Sequence, residues 1–147
     1  MNPAHIALIL EGAHNILPDP YSPDVNLSDD DWGASVSAGR LLLDIGLETV
    51  LESAKGQSML SRVQTWLVAV LKEGSLGRRE RVDAGNVLAR LGDPRFNPDS
   101  WYLPNDPLLG FVEIPAGNFI MGELDEQHEL SLPTFYIARY PVTVAQF

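Results

Sequence analysis

The chain has 147 residues, 45% of them hydrophobic, so it can hold one full domain, or one small domain and part of another. It contains no cysteine, which excludes disulfides, thiolate zinc sites and cysteine nucleophiles within these residues. The net charge is −10, and residues 96–147 carry seven acidic side chains and a single basic one, Arg139. Because phosphate binding needs an excess of Lys and Arg, no nucleic-acid partner is predicted.

The chain also lacks the sequence features of a membrane protein. No apolar run approaches the roughly 18–20 residues that cross a bilayer, so no membrane association is predicted. The apolar stretch at the N-terminus has neither a preceding basic region nor a small-residue cleavage site, and it is predicted to be a helix rather than a signal peptide. Since the missing cysteines fit a reducing compartment, a cytoplasmic protein is predicted.

The first predicted helix runs from Pro3 to about Leu17, because its apolar residues recur at helical spacing. They share one face and are Ile6, Ile9, Leu10, Ala13 and Leu17. Prolines at positions 18, 20 and 23 follow, and residues 18–28 are predicted to form a loop because proline fixes φ and removes a donor.

Ser28 is predicted to cap a second helix, with Asp31 at the capping-box position. Together Asp29, Asp30 and Asp31 place three carboxylates at the positive end of the helix dipole. A metal cluster is the alternative interpretation, but no further ligands follow at calcium-loop spacing. The helix has two apolar stripes and is predicted to pack between neighbours until it ends at Gly46. The stripes are Trp32, Val36, Gly39 and Leu43, and Ala38, Leu42 and Ile45.

Three more helices are predicted before residue 95. A short one (Leu47 to Ser53) is broken near Gly56, a longer one covers about Ser58 to Glu73 and is ended by Gly74, and the last runs from about Arg78 to Leu91. Gly92, followed by Asp93-Pro94, terminates the last helix. Paired helices with wide apolar faces and glycine stops resemble HEAT-type solenoids, so residues 1–95 are predicted to be a HEAT-like helical module.

After Arg95 the pattern changes. Residues 96–110 contain three prolines and are predicted to be a Pro-rich linker. Three strands are predicted beyond it, at Phe111–Ile114, Asn118–Met121 and Thr134–Ala138. Pro115-Ala116-Gly117 is predicted to be the turn that joins the first two of these strands as a pair. Thr143 is expected to cap a helix beginning at Val144-Ala145-Gln146. The fold class is therefore predicted to be α+β.

Two blocks of the strand region carry a family resemblance. Residues 111–122 (FVEIPAGNFIMG) resemble the opening of the formylglycine-generating, or sulfatase-modifying, family: an apolar run, Ile-Pro-Ala-Gly, one residue, Phe, one residue, Met-Gly. Residues 132–147 (LPTFYIARYPVTVAQF) resemble a second family block. The resemblance implies that residues 111–147 are the incomplete first part of a C-type-lectin-like domain.

The resemblance also limits what chemistry can be assigned. Family members that oxidise a sulfatase cysteine to formylglycine use a pair of cysteines and copper, and this sequence has no cysteine to match them. No catalytic, cofactor-binding or metal-binding residue is therefore assigned, and no cofactor is expected in this chain.

A second resemblance lies just upstream of the strand region. Residues 78–95 (RRERVDAGNVLARLGDPR) resemble the segment that often precedes this domain in large bacterial modular proteins. No GxxxxGK[ST] phosphate-binding motif occurs, so nucleotide binding is not predicted.

Two functions are compatible with these observations. The first is a non-catalytic interaction or regulatory region, or fragment, of a bacterial modular protein, completed by another chain or by the rest of the same polypeptide. In that case the chain is expected to break off at Phe147, inside the start of a helix. The alternative is the N-terminal part of a formylglycine-generating oxidase whose cysteines lie downstream.

Several side-chain groups have a functional interpretation beside a plainer one. The acidic residues after Gly122, with His128, suggest a cation site, although an acidic family loop is the favoured interpretation. Their members are Glu123, Asp125, Glu126, His128 and Glu129. His5 and His14 lie near opposite sides of the first helix and are predicted to be surface residues.

Two further groups could meet a partner. Arg78, Arg79 and Arg81, with Glu80 and Asp83 among them, could form a basic patch, although a solvated helix start with local ion pairs is favoured. Trp101-Tyr102 could dock on a partner or pack where the two parts join.

Overall fold

The computed structural model describes residues 2–17, 19–23, 26–73, 76–144 and 146–147. Its fold is α+β, as predicted: five helices precede a set of short antiparallel strands in the described residues. The chain divides into two compact units, Met1–Asp93 and Pro94–Phe147.

The first unit contains the helices. They are α1 (Pro3–Ile16), α2 (Asp29–Ile45), α3 (Leu47–Leu51), α4 (Ala54–Glu73) and α5 (Arg78–Leu91). Three of them, α1, α2 and α5, have the predicted bounds to within a residue. The prediction that Gly74 ends the fourth helix concerns a residue outside those described.

The predicted break near Gly56 is wrong. The interruption falls at Glu52 and Ser53, and Gly56 lies buried inside α4, which begins at Ala54. A Cβ atom on Gly56 would lie 2.0 Å from the carbonyl oxygen of Val50. The glycine is therefore explained by the close approach of two backbones, not by helix termination.

The capping box at the start of α2 is confirmed. The backbone N–H of Asp31 donates to Ser28 Oγ at 3.3 Å, and the N–H of Ser28 donates to Asp31 Oδ2 at 2.8 Å. These bonds stabilise the ionised carboxylate, so the pKa of Asp31 lies below its ordinary value, chiefly because of the backbone N–H of Ser28. At the other end, Gly46 caps the helix with φ = 91°, a conformation that favours glycine.

The core of the first unit forms around α2, which packs against α1, α4 and α5. Both predicted stripes of α2 contribute buried residues, as expected for a helix between neighbours. Gly39 allows α5 to come close, because a Cβ there would lie 2.6 Å from Val87 Cγ1. The largest side chains with the least exposure are Leu42, Val50, Val63, Leu67, Val70, Leu88 and Leu91.

An aromatic cluster closes one side of this core. The ring centroids of Trp32 and Trp66 are 5.9 Å apart in an edge-on arrangement, and Tyr21 contacts both rings at 6.1 and 5.4 Å. Trp66 Nε1 donates to the carbonyl oxygen of Asp19 at 3.0 Å, so this nearly buried ring satisfies its polar atom. Through Asp19 and Tyr21, the loop after α1 therefore packs against α2 and α4.

The second unit begins with a short hairpin in the segment predicted as a linker. Strands β1 (Phe96–Asn97) and β2 (Leu103–Pro104) pair antiparallel around a 3₁₀ turn at Pro98–Ser100. Trp101 and Tyr102 follow this turn with φ of 54° and 51°, a left-handed conformation that is uncommon for large side chains.

The remaining strands are β3 (Phe111–Ile114), β4 (Gly117–Met121), β5 (His128–Leu132) and β6 (Phe135–Ala138). The prediction that Pro115-Ala116-Gly117 is a turn between two paired strands is wrong, because β3 pairs with β6 and β4 pairs with β5. The prediction also missed β5, whose first two residues, His128 and Glu129, lie in the expected acidic loop.

The two ladders share one register. Ile114 pairs with Phe135, and three residues further along each arm Gly117 pairs with Leu132. Residues 111–138 therefore form one long hairpin, interrupted at positions 115–116 on one arm and 133–134 on the other. Pro133 lies opposite Ala116 and has no N–H, so it cannot donate to the ladder there. The N–H of Ala116 bridges the gap by donating to Thr134 Oγ1 at 3.2 Å.

The glycine that this hairpin requires is Gly122. It has φ = 93°, and a Cβ there would lie 2.5 Å from the carbonyl oxygen of Glu126. A Cβ on Gly117, by contrast, would meet nothing within 4 Å. The tight turn therefore lies at the tip of the hairpin, beyond β4.

The helix expected after Thr143 is not seen in the described residues, where Val144 and Gln146 form a turn. Half of a capping box is nevertheless present, because the N–H of Thr143 donates to Gln146 Oε1 at 2.8 Å. Ala145 lies outside the described residues.

Candidate interaction surface

The second unit has no buried apolar side chain among its described residues. Every buried hydrophobic residue that the structure describes lies between Leu10 and Leu91, in the first unit. Gly110 is the only buried residue among those described in the second unit, while Trp101 remains 79% exposed. The strands thus carry apolar side chains that no core covers, and such surfaces commonly mark interaction sites.

The inner half of the hairpin, β4–β5, presents an apolar face, which we call the tip face. Phe119 lies opposite Leu130, Gly117 opposite Leu132, and Met121 opposite His128, so these residues share one side of the ladder. Phe119, Leu130 and Leu132 are 37–38% exposed, and Met121 is 51% exposed. The other side is more polar and carries Asn118, Ile120, Glu129 and Ser131.

The outer half, β3–β6, presents a second apolar face. Val112 lies opposite Ile137 and Ile114 opposite Phe135, and the first pair is exposed. On the reverse side Tyr136 donates its hydroxyl hydrogen to Glu113 Oε2 at 3.0 Å. That bond favours the neutral phenol, and with the nearby negative charge it raises the pKa of Tyr136 above its ordinary value.

The apolar faces of the two halves have opposite parity. Odd-numbered residues of β4 line the tip face, whereas even-numbered residues of β3 line the outer one. A pleat running unbroken through both arms would put the two faces on opposite sides. The proline-containing interruption is where the chain can reorient one face relative to the other.

Both arms also have an outer edge without a strand partner in the described residues, because each sheet is two-stranded. The N–H of Arg139 donates to the carbonyl oxygen of Gly110 at 2.9 Å, which makes these two residues a directly bonded pair. Since bonded and unbonded pairs alternate, the backbone groups of His128, Leu130 and Leu132 point outward. Such an edge can accept a further strand.

A cation site, the less favoured interpretation of the acidic residues after Gly122, is not seen among the described residues. Among the residues that the structure describes, no three His, Asp or Glu side chains come close enough to hold a metal ion. Glu123, Asp125 and Glu126 are exposed at the tip, around a 3₁₀ turn at Leu124–Glu126, and Glu129 lies on β5. His128 Nδ1 lies 2.9 Å from the carbonyl oxygen of Glu126, so this ring is held within the hairpin.

The two histidines of α1, nine positions apart, have different surroundings. His5 is exposed, and His14 Nδ1 lies 3.1 Å from Arg62 Nη1 of α4. The same Arg62 nitrogen donates to the carbonyl oxygen of Leu17 at 3.1 Å. His14 therefore takes part in the contact between α1 and α4, a role that sequence spacing does not reveal.

The arginines at the start of α5 are exposed, as predicted. Arg81 donates from Nη2 to the carbonyl oxygen of Leu71, near the end of α4, at 2.6 Å. Asp83 is paired at 3.1 Å with Arg40 of α2, instead of with a neighbour on its own helix. The sequence missed this pair because its members are 43 positions apart.

Two shallow depressions lie among the described residues of the first unit. One, of about 250 Å³, lies beside Tyr21 and Arg62; the other, of about 370 Å³, lies between α2 and α5 around Arg40 and Asp83. Both are open, and neither pairs a nucleophile with a general base. The uncovered faces of the hairpin are therefore the strongest candidate for a functional surface.

Comparison with protein-family models, with curated proteins and with solved structures finds no match to this chain. The sulfatase-modifying and HEAT-like resemblances therefore stay predictions that rest on the sequence motifs. None of the helices in the described part of the chain is long and apolar enough to cross a membrane.

Proposed function

We propose that this chain is a non-catalytic interaction or regulatory region, in which a HEAT-like helical module carries the first strands of a sulfatase-modifying, C-type-lectin-like domain. The missing strands come from another chain or from further polypeptide. The observation that carries the proposal is the pair of apolar faces on residues 111–138, which nothing in the described second unit covers.

The energetics of the hairpin support this proposal. An isolated two-stranded hairpin is marginally stable in water, and the described residues of this unit contain no α-helix against which the hairpin could pack. Full burial of a large apolar side chain contributes about 1.5–3 kcal/mol. Covering the remaining exposed part of the four side chains of the tip face would thus contribute on the order of 2–5 kcal/mol. A gain of that size is enough to convert a marginal hairpin into a stable one.

Hydrogen exchange followed by mass spectrometry tests the proposal on the full chain. We expect the amides of α2, α4 and α5 to be protected and those of β4 and β5 to exchange rapidly, because the hairpin lacks its covering layer. The helices provide the internal control in the same sample. Protection of β4 and β5 equal to that of α4 would mean that the hairpin is already complete, and the proposal would fail.

We also propose a cytoplasmic location and a polypeptide partner, with no nucleic acid, membrane or cofactor assigned to this chain. The net charge of −10 and the missing cysteines support these assignments. Cross-linking in cells followed by mass spectrometry of peptides joined to residues 111–138 would identify the partner. Cross-links to nucleic acid there would contradict the assignment.

A second candidate is the N-terminal part of a formylglycine-generating oxidase, favoured by the two motif blocks at 111–122 and 132–147. In that case the native assembly, supplied with copper and with dioxygen as the oxidant, would convert the cysteine of a Cys-x-Pro-x-Arg peptide to an aldehyde. The readout is aldehyde labelling of the peptide by a hydrazide probe. Aldehyde formation by the purified native assembly would favour the oxidase over the non-catalytic region.

A further inference from the structure

The inner half of the hairpin carries charged side chains of one sign only. Gly117–Leu132 carries four carboxylates, on Glu123, Asp125, Glu126 and Glu129, and no Lys or Arg. All four residues are exposed, and none forms an ion pair with another described residue. The tip face is thus an apolar surface bordered by unneutralised negative charge.

The distribution of charge favours the outer edge of β5, rather than that of β4, as the place where a further strand binds. On β4 the residues opposite to the tip face are Asn118 and Ile120, which are uncharged, whereas on β5 they include Glu129. The outward backbone groups of β5 are those of Leu130 and its alternate neighbours, whose side chains lie on the tip face. A strand added along β5 would therefore place its alternate residues beside Leu130 and Leu132 on one face and beside Glu129 on the other.

Charge also argues against a second copy of this chain as the occupant. Two tip halves side by side would bring eight carboxylates together, since each contributes four. Like charges brought together in this way repel each other, and the repulsion grows when solvent is displaced. A positively charged segment would be attracted to these carboxylates, whereas a second copy would be repelled by them.

We propose that the outer edge of β5 binds an extended polypeptide segment in which apolar residues alternate with Lys or Arg. The apolar residues extend the tip face, and the basic residues lie on the opposite side, beside Glu129 and towards the carboxylates of the tip. This inference rests on the proposed function, because it specifies the chemistry of the segment that completes the hairpin.

The test is a titration of the full chain with synthetic peptides of about nine residues, long enough to span β5. One peptide alternates valine and lysine, a second alternates valine and glutamate, and a third has the composition of the first with all lysines at one end. We expect the alternating lysine peptide to bind, to protect the amides of β5 from exchange, and to bind more weakly as salt is raised. The other two should bind at least tenfold more weakly.

Two matched double variants test whether the carboxylates of the hairpin attract the lysine peptide. Glu126→Gln with Glu129→Gln removes two carboxylates from the hairpin and should weaken the lysine peptide roughly three- to tenfold, because exposed ion pairs each contribute about 0.2–1 kcal/mol. Glu48→Gln with Glu52→Gln removes two exposed carboxylates from the first unit and should leave affinity unchanged. Circular dichroism of both variants checks that the helices remain folded.

The failures are distinguishable. If β4 and β5 are as protected as α4 in the chain alone, the proposed function fails. If they exchange rapidly alone but the lysine and glutamate peptides protect them equally, or the two double variants bind alike, only the charge inference fails. Concentration-dependent dimers in sedimentation, lost in a Leu130→Thr variant, would instead assign the edge to a second copy and overturn the inference.

Discussion

The two helical glycines of α2 give a sharp test of how the first unit is packed. An alanine at position 33 would meet nothing within 4 Å, whereas one at position 39 would place its Cβ 2.6 Å from Val87 Cγ1. It would also lie 3.3 Å from Val63 Cγ1 and 3.4 Å from Leu91 Cδ1, so that α5 and α4 confine it together. We therefore expect Gly33→Ala to stabilise the protein and Gly39→Ala to destabilise it.

The magnitudes follow from two opposing effects. Replacing glycine by alanine inside a helix contributes about 0.5–1 kcal/mol of stability through the backbone, and at position 33 nothing opposes this gain. At position 39 overpacking costs about 1–3 kcal/mol, because Val87 and Val63 are buried and their branched side chains have little rotamer freedom. The two variants should differ in unfolding free energy by about 2 kcal/mol, with opposite signs relative to the parent.

Urea unfolding followed by circular dichroism at the helical minimum measures both free energies, and an unchanged urea slope shows that the same surface unfolds. A Val87→Ala substitution should relieve the clash, so in a double-mutant cycle the cost of Gly39→Ala should shrink in the Val87→Ala background. If Gly39→Ala stabilises the protein as much as Gly33→Ala does, the close approach of α2 and α5 described above is wrong.

Four further outcomes are expected. Ser28→Ala should destabilise the chain by about 1 kcal/mol in urea unfolding, because it removes the cap of α2. The pKa of Asp31 is lowered on folding, so the stability that its carboxylate contributes is present above the pKa of the unfolded carboxyl and is lost as pH falls through the pKa of the folded one. Asp31→Asn should therefore make the melting temperature less dependent on pH in the acidic range. Glu113→Gln should lower the pKa of Tyr136 towards its ordinary value in an absorbance titration at alkaline pH, and an unchanged pKa would contradict the β3–β6 register. Arg40→Ala should change stability by less than about 1 kcal/mol in urea unfolding, because its ion pair with α5 is exposed.

The helical unit was largely predictable because its signals are local. Ser28 with Asp31, and the glycine after α5, mark helix ends by hydrogen bonds within a few residues of the sequence. Gly56 was misassigned because its function depends on Val50, whose carbonyl approaches only once α3 and α4 fold back on each other. A glycine required by tertiary contact resembles a glycine that breaks a helix when only the sequence is known.

The hairpin was less predictable, since strand pairing is non-local. The sequence predicts strands beginning at Phe111 and Thr134, but it does not show that these two strands pair with each other. His128–Leu132 was overlooked because the charge of Glu129 and its neighbours suggested a loop, although an exposed strand face tolerates such residues. The candidate surface has the same limit: the sequence predicts an incomplete strand region, whereas the tip face follows only from the register of β4 and β5.

The shared register of the hairpin arms constrains how its length can change in evolution. Removing one residue from each arm at positions that face each other keeps every remaining pair matched, so balanced deletions shorten the hairpin without scrambling it. A deletion on one arm alone turns each later side chain of that arm to the other face, exchanging apolar for polar neighbours. Homologues should therefore vary in this region by symmetric steps, or at the tip between Gly122 and Gln127, where length is not coupled to pairing.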